Sequence, residues 1–115
     1  MYYKRKESFR FTFESPISGK ITNQEKLENY PIKIMDISAT GLKIQLEKSS
    51  FPLPKKNQLI WIEFQLMNHP FRSTGTVVCI KDFVSHIICE IKVTTDKEWE
   101  ESIITDLKLY AKIKN

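Results

Sequence analysis

Apolar and polar side chains alternate with a period of two along much of the chain, which predicts β-strands. In the segment Ser8–Glu14 the three phenylalanines share one face, and a weaker continuation beyond Pro16 predicts a bent or broken first strand. Met67–Pro70 reads as a turn. The remaining predicted strands are Ile32–Ile37, Leu42–Glu47, Leu59–Leu66, Phe71–Lys81 and Val84–Val93. The last two should be antiparallel neighbours, because only a tight connection separates them.

The period changes after Thr94, where spacings of three and four predict a helix. The segment Thr95–Glu98 fits a capping box, in which a hydroxyl and a carboxylate each satisfy a backbone N–H group. We predict a helix from about Asp96 to Ile113 in a C-terminal region that spans residues 95–113. Its apolar stripe consists of Trp99, Ile103, Ile104, Leu107, Tyr110 and Ala111.

Six short strands followed by one helix indicate a mainly β domain, either an antiparallel barrel or a sandwich. The helix should cover an open end or edge of the strands with its apolar stripe. A length of 115 residues suits one domain. We divide it into a basic arm (1–10), the barrel (8–93) and the helix (95–113).

The composition is that of an ordinary globular protein, with 41% hydrophobic and 28% charged residues. The chain holds neither a run of about 20 apolar residues nor a secretory signal, so we expect no membrane span. Two cysteines, Cys79 and Cys89, are too few for a disulfide framework and are most simply packed thiols. We therefore expect a cytoplasmic protein.

Most of the net charge of +4 lies in one short segment. The first ten residues contain four basic side chains and one acidic side chain, and the rest of the chain is close to neutral. A local cluster of this kind indicates a local anionic partner, although a solvated terminus would also explain it. It does not resemble the broad basic face of a duplex-binding protein.

The basic arm contains two cations at a spacing of four residues, Lys6 and Arg10. If the phenylalanines of the first strand face the core, Arg10 must project from the opposite face. Together the two cations could close over a phosphate or a flat base. Guanidinium suits this task because it presents a planar fork of donors and stacks on aromatic surfaces.

A polar turn, Asp36–Gly41, lies between the second and third predicted strands. Gly41 would permit a backbone conformation with positive φ, and Asp36 and Ser38 can accept hydrogen bonds from local N–H groups. An ordinary hairpin would explain these residues. Alternatively, the carboxylate could accept hydrogen bonds from a donor edge such as the N1–H and N2–H₂ groups of guanine, with Ser38 as a hydroxyl partner.

The conjunction of arm and turn resembles the PilZ domain family. The family pattern is Arg-x-x-x-Arg in the arm, followed by Asn/Asp-x-Ser-x-x-Gly between two strands of a six-stranded barrel with a C-terminal helix. Here the second motif is complete, and Arg10 matches the second arginine of the first motif. The first arginine position holds Lys6, and Arg5 stands one residue out of register.

The resemblance implies a six-stranded antiparallel barrel that binds cyclic di-GMP, a bacterial second messenger. The ligand-binding residues it implies are Arg5, Lys6, Arg10, Asp36, Ser38 and Gly41. The arm would become ordered around the ligand and a protein partner, of unknown identity, would read the change. The chain would act as a monomer or homodimer, in the control of motility or exopolysaccharide production.

Two alternatives stay open at this stage. One is a degenerate PilZ-like adaptor that binds protein but not nucleotide, since lysine cannot offer the two-pronged donor of arginine. The other is a barrel that binds single-stranded nucleic acid through Tyr2, Tyr3 and the phenylalanines. We expect neither DNA nor RNA as a partner, because a core requires phenylalanines on one face and the charge outside the arm is balanced.

No enzymatic or metal-binding motif is found in the sequence. The chain has no P-loop, Gly-x-Ser-x-Gly or Gly-x-Gly-x-x-Gly segment. The two cysteines and the two histidines, His69 and His86, lack the paired spacing of a zinc site, and we interpret both histidines as surface residues. We expect no enzymatic activity, no cofactor and no metal.

Overall fold

The computed structural model describes residues 10–25, 27–38, 40–48, 53–94 and 97–114. Neighbouring strands pair antiparallel throughout and close a barrel in the order β1-β2-β3-β6-β5-β4. The predicted six-stranded barrel with a C-terminal helix is therefore confirmed, and the sandwich alternative is wrong. The elements are β1 (Arg10–Asn23), β2 (Asn29–Ser38), β3 (Gly41–Glu47), β4 (Leu59–Leu66), β5 (His69–Asp82), β6 (His86–Val93) and α1 (Lys97–Lys114).

Strand β1 is a single strand of 14 residues with an irregularity in its middle. Its register against β2 shifts between Thr12 and Ile17, the segment that contains Pro16. A bulge bends a strand without ending it, so the first strand is bent but not broken. Beyond the bulge β1 pairs with both β2 and β4, and this second pairing closes the barrel.

The hairpin between β4 and β5 is tighter than the sequence pattern suggested. Met67 and Asn68 have φ values of 54° and 64°, and pairing resumes directly with Leu66 opposite His69. Two residues with positive φ form a type I′ hairpin, which matches the twist of the flanking strands. The predicted four-residue turn was too long, because His69 and Pro70 belong to β5.

The loop between β5 and β6 is longer than predicted, because β6 begins later in the chain. Val84 is 97% exposed and lies in the connection, so β6 begins at His86 and not at Val84. The connection is closed by the N–H group of Phe83, which donates to the carbonyl oxygen of His86 at 2.9 Å. The two strands are antiparallel neighbours, as predicted.

The barrel is filled by side chains that alternate inward along all six strands. Ile34, Ile44, Ile62 and Val77 have no exposed surface. Cys89 is equally buried among them, and burial raises the pKa of its thiol to about 11. Both cysteines are free, and Cys79 is only half-buried.

Helix α1 covers one end of the barrel, where β1 and β5 begin. Its Ile103 and Leu107 are fully buried in the core. Tyr110 lies edge-on to the rings of Phe11 and Phe13 near the start of β1, with centroids 5.7 and 5.2 Å apart. The predicted apolar stripe and the covering role are confirmed. The capping residues Thr95 and Asp96 lie outside the described residues.

A polar contact that the sequence did not indicate joins the helix to β5. Asp106 is only 6% exposed, and its Oδ2 lies 2.9 Å from Nδ1 of His69. His69 is exposed, as interpreted, but it also supplies the partner that a buried carboxylate needs.

Among the described residues, no helix has the length and apolar character required to cross a membrane.

Leu107→Ala should lower the free energy of unfolding by about 2–5 kcal/mol, because it opens a cavity beneath the helix. Urea denaturation of the purified domain measures the change. Leu109→Ala is the matched control, since Leu109 lies on the same helix with a 45% exposed side chain and should cost little. Equal losses for the two variants would show that α1 is not held through its predicted face.

Candidate ligand-binding site

The start of β1 lies directly beside the end of β2. Arg10 is paired with Ser38, Phe11 with Ile37 and Thr12 with Asp36. Directly opposite residues share a face of the sheet, and Ile37 faces the core. The side chains of Arg10, Asp36 and Ser38 therefore share the outer face, and the arm joins the barrel next to the polar turn.

Asp36 is a nearly buried carboxylate with a cation at each oxygen. Its Oδ1 accepts a hydrogen bond from the guanidinium of Arg10 in an ion pair across β1 and β2. Its Oδ2 lies 3.8 Å from Nζ of Lys43, its neighbour across β2 and β3. The side chain of Asp36 is 8% exposed, whereas those of Arg10 and Lys43 are 52% and 35% exposed.

The pairing of β2 with both of its neighbouring strands is irregular next to Asp36. The register of β2 shifts between Ile34 and Asp36, and it does so against β1 as well as against β3. Bulges of this kind re-aim side chains and are frequent beside functional sites.

Ser38 organises the turn from within. Its buried Oγ accepts hydrogen bonds from the N–H groups of Gly41 at 3.1 Å and Thr40 at 3.4 Å. The same hydroxyl lies 3.4 Å from the carbonyl oxygen of Gly41, to which it donates. Part of the motif therefore has a structural role, because the serine satisfies backbone groups in the turn that connects β2 and β3.

Gly41 is required for a reason other than the one predicted. Its φ is not positive, so the expectation of a left-handed conformation is wrong. A Cβ at this position would lie 2.8 Å from the carbonyl oxygen of Ile91 in β6. The glycine thus allows β3 to approach β6 closely at the first residue of the strand.

Two further cations, which were not predicted as site residues, lie beside the turn. Lys43 contacts Asp36, and Lys92 stands opposite Gly41 on β6 with an exposed side chain. Their signal was weak, because each is simply an outward residue of an alternating strand. Their proximity to the turn follows from strand register, which a single sequence does not specify.

Arg5 and Lys6, the other predicted ligand-binding residues, lie outside the described residues. The arm is nevertheless attached at Arg10, whose backbone is paired with Ser38. Phe11 and Phe13 pack against Tyr110 of the helix, so these two rings contribute to the core. Within the described ranges no cluster of three or more potential ligands for a metal ion is found.

A family model described as PilZ domain matches residues 4–107. The chain belongs to the PilZ domain family. Membership in this family of receptor and adaptor domains confirms the prediction that the chain is not an enzyme. The match includes residues 4–10 of the arm, the turn and most of helix α1.

Solved structures agree with this assignment at the level of the fold. The PilZ domain of YcgR from Escherichia coli with c-di-GMP shares 15% identity and a TM-score of 0.75, and the alignment covers 96% of this chain and 97% of that one. The MrkH–c-di-GMP complex of K. pneumonia shares 20% identity and a TM-score of 0.71, covering 98% and 57%. The PilZ domain of CeSA from a cellulose-synthesizing bacterium shares 17% identity and a TM-score of 0.62, covering 94% and 100%. No curated protein sequence matches the chain.

Gly41→Ala should destabilise this PilZ domain by about 1–3 kcal/mol, because the added methyl group would press on a backbone carbonyl that cannot rotate away. Thermal or urea unfolding measures the loss. Thr40→Ala, an exposed change in the same turn, is the control and should leave stability nearly unchanged. A Gly41→Ala protein as stable as the control would show that β3 and β6 can separate at this point.

Proposed function

We propose that this PilZ domain binds cyclic di-GMP at the outer surface formed by the arm, the start of β1 and the turn 36–41. The observation that carries the proposal is the convergence of Arg10 with Asp36 and Ser38, because two motifs far apart in sequence meet at one place. Similarity to the PilZ domain of YcgR with c-di-GMP and to the MrkH–c-di-GMP complex supports the choice of ligand.

The chemistry of the cluster suits a nucleotide that carries both phosphate and guanine. Arg10 is half-exposed and has guanidinium donors beyond the one engaged by Asp36, so it can bind a phosphate or the acceptor edge of a base. Asp36 can accept the N1–H and N2–H₂ groups of guanine. Arg10 already engages Oδ1 of Asp36, whose side chain is only 8% exposed, so a base that binds this oxygen should displace Arg10 and rearrange the ion pair.

The same end of the barrel offers a route from ligand to partner. The arm enters at Arg10, and the next residue, Phe11, lies edge-on to Tyr110 of helix α1. We propose that ordering of the arm around the ligand changes the surface formed by the arm and the helix, and that a protein partner recognises this surface. A cytoplasmic location and a role in motility or exopolysaccharide production belong to the same proposal.

Arg10→Ala and Asp36→Ala should each weaken cyclic di-GMP binding by about tenfold or more, because each removes a charged hydrogen-bonding group from the site. Titration calorimetry measures the affinity. Arg72→Ala is the matched control, since Arg72 also forms a cross-strand ion pair, with Glu63 at 3.2 Å, on other strands of the barrel. This control should bind like the wild type.

The titration also separates the receptor from the adaptor alternative. If saturating cyclic di-GMP gives neither heat nor a shift in the melting temperature of the wild-type protein, the domain acts through protein contacts alone. If the ligand binds but Arg10→Ala has the same affinity as the Arg72→Ala control, the site lies elsewhere on the domain.

Lys6→Arg should raise the affinity for cyclic di-GMP by about tenfold, because arginine restores a two-pronged donor at the first position of the arm motif. The same titration measures the gain. Lys4→Arg is the control, since it makes the same chemical change two residues outside the motif. Equal effects of the two substitutions would remove Lys6 from the proposed site.

A further inference from the structure

The carboxylate of Asp36 has a second cationic neighbour besides the arginine of the arm motif. We propose that Lys43 is a positioning residue of the ligand site, which holds Asp36 in place when Arg10 turns from the carboxylate to the ligand. The inference rests on the proposed function, since it assigns a role in cyclic di-GMP binding.

The geometry separates the two cations on the carboxylate. Arg10 approaches Oδ1 from β1, at the point where the arm joins the barrel, whereas Lys43 lies 3.8 Å from Oδ2 on the opposite neighbour, β3. Asp36 and Lys43 are direct partners in the strand register. Movement of Arg10 with the arm therefore need not disturb Lys43.

Without a second cation, the departure of Arg10 would leave a nearly buried carboxylate unpaired, and breaking such a pair is strongly unfavourable. Arg10 can engage the ligand only if Asp36 keeps another source of compensation. Lys43 supplies it at Oδ2, while Oδ1 becomes available to accept hydrogen bonds from the guanine edge. The lysine thus lowers the cost of rearranging the ion pair.

A purely structural role for Lys43 predicts a different outcome. Its ammonium lies beyond hydrogen-bond distance from Asp36 and its side chain is 35% exposed, and ion pairs of this kind contribute little to stability. We therefore expect removal of Lys43 to change the affinity much more than the melting temperature.

Lys43→Met should weaken cyclic di-GMP binding by about tenfold in titration calorimetry, and Lys43→Arg should restore the affinity to within about threefold of the wild type. Lys20→Met is the matched control, because Lys20 also faces a carboxylate across a strand pair, that of Glu63 at 3.6 Å. Its affinity should equal that of the wild type. Thermal melting of all variants checks that each is folded.

A double-mutant cycle tests whether Lys43 acts through Asp36. Asp36→Asn keeps the shape but removes the charge that needs a counterion, and asparagine is allowed at this position of the family motif. Lys43→Met should therefore cost less than about twofold in the Asp36→Asn background. An equal loss in both backgrounds would overturn the proposal in favour of direct contact between Lys43 and the ligand.

The remaining outcomes are also decisive. If the wild-type protein binds cyclic di-GMP and the Lys43→Met variant binds it equally well, the role of Lys43 is overturned. The proposed function would still stand. Absence of binding by the wild-type protein would overturn the proposed function and this inference with it.

Discussion

The antiparallel pairing of β1 with β2 is the constraint on which the candidate site depends. It places Arg10 opposite Ser38 and brings the guanidinium of Arg10 to the carboxylate of Asp36. The two residues are 26 positions apart in the chain, so their ion pair depends on this register. The same pairing forms part of the barrel wall, so the fold and the candidate site depend on the same strand contacts. A change that shifted β1 by one residue would turn Arg10 toward the core and Phe11 toward solvent.

Two of the three motif residues in the turn have structural roles of their own. Ser38 caps the backbone of its own turn, and Gly41 admits the carbonyl of Ile91, so both residues have sufficient structural reasons to be present. Asp36 differs from them, because a nearly buried carboxylate with two cations on separate strands is not needed to form a hairpin. It is therefore the residue of the motif whose presence most favours ligand binding over simple turn formation.

Local patterns predicted the architecture well because strands and helices have different periods. The alternation in β2, β3 and β4 and the stripe of α1 reflect which side chains meet the core, and that information is contained in short segments. The predictions were wrong or incomplete where long-range contacts or unusual backbone conformations determine the structure. Positive φ at Met67 has no sequence signal, and the contact between His69 and Asp106 joins residues 37 positions apart.

The sequence by itself determined the six strands, the helix, the concentration of charge in the arm and the two motifs, because all of these are properties of neighbouring residues. Only the tertiary structure decided which side chains surround Asp36. Lys43 was an ordinary outward residue of a strand until the register placed it opposite the carboxylate. Likewise, Gly41 is required by the approach of β6 and not by its own backbone conformation. In both cases the deciding partner comes from another strand, and a strand's own pattern of burial does not reveal the side chains beside it.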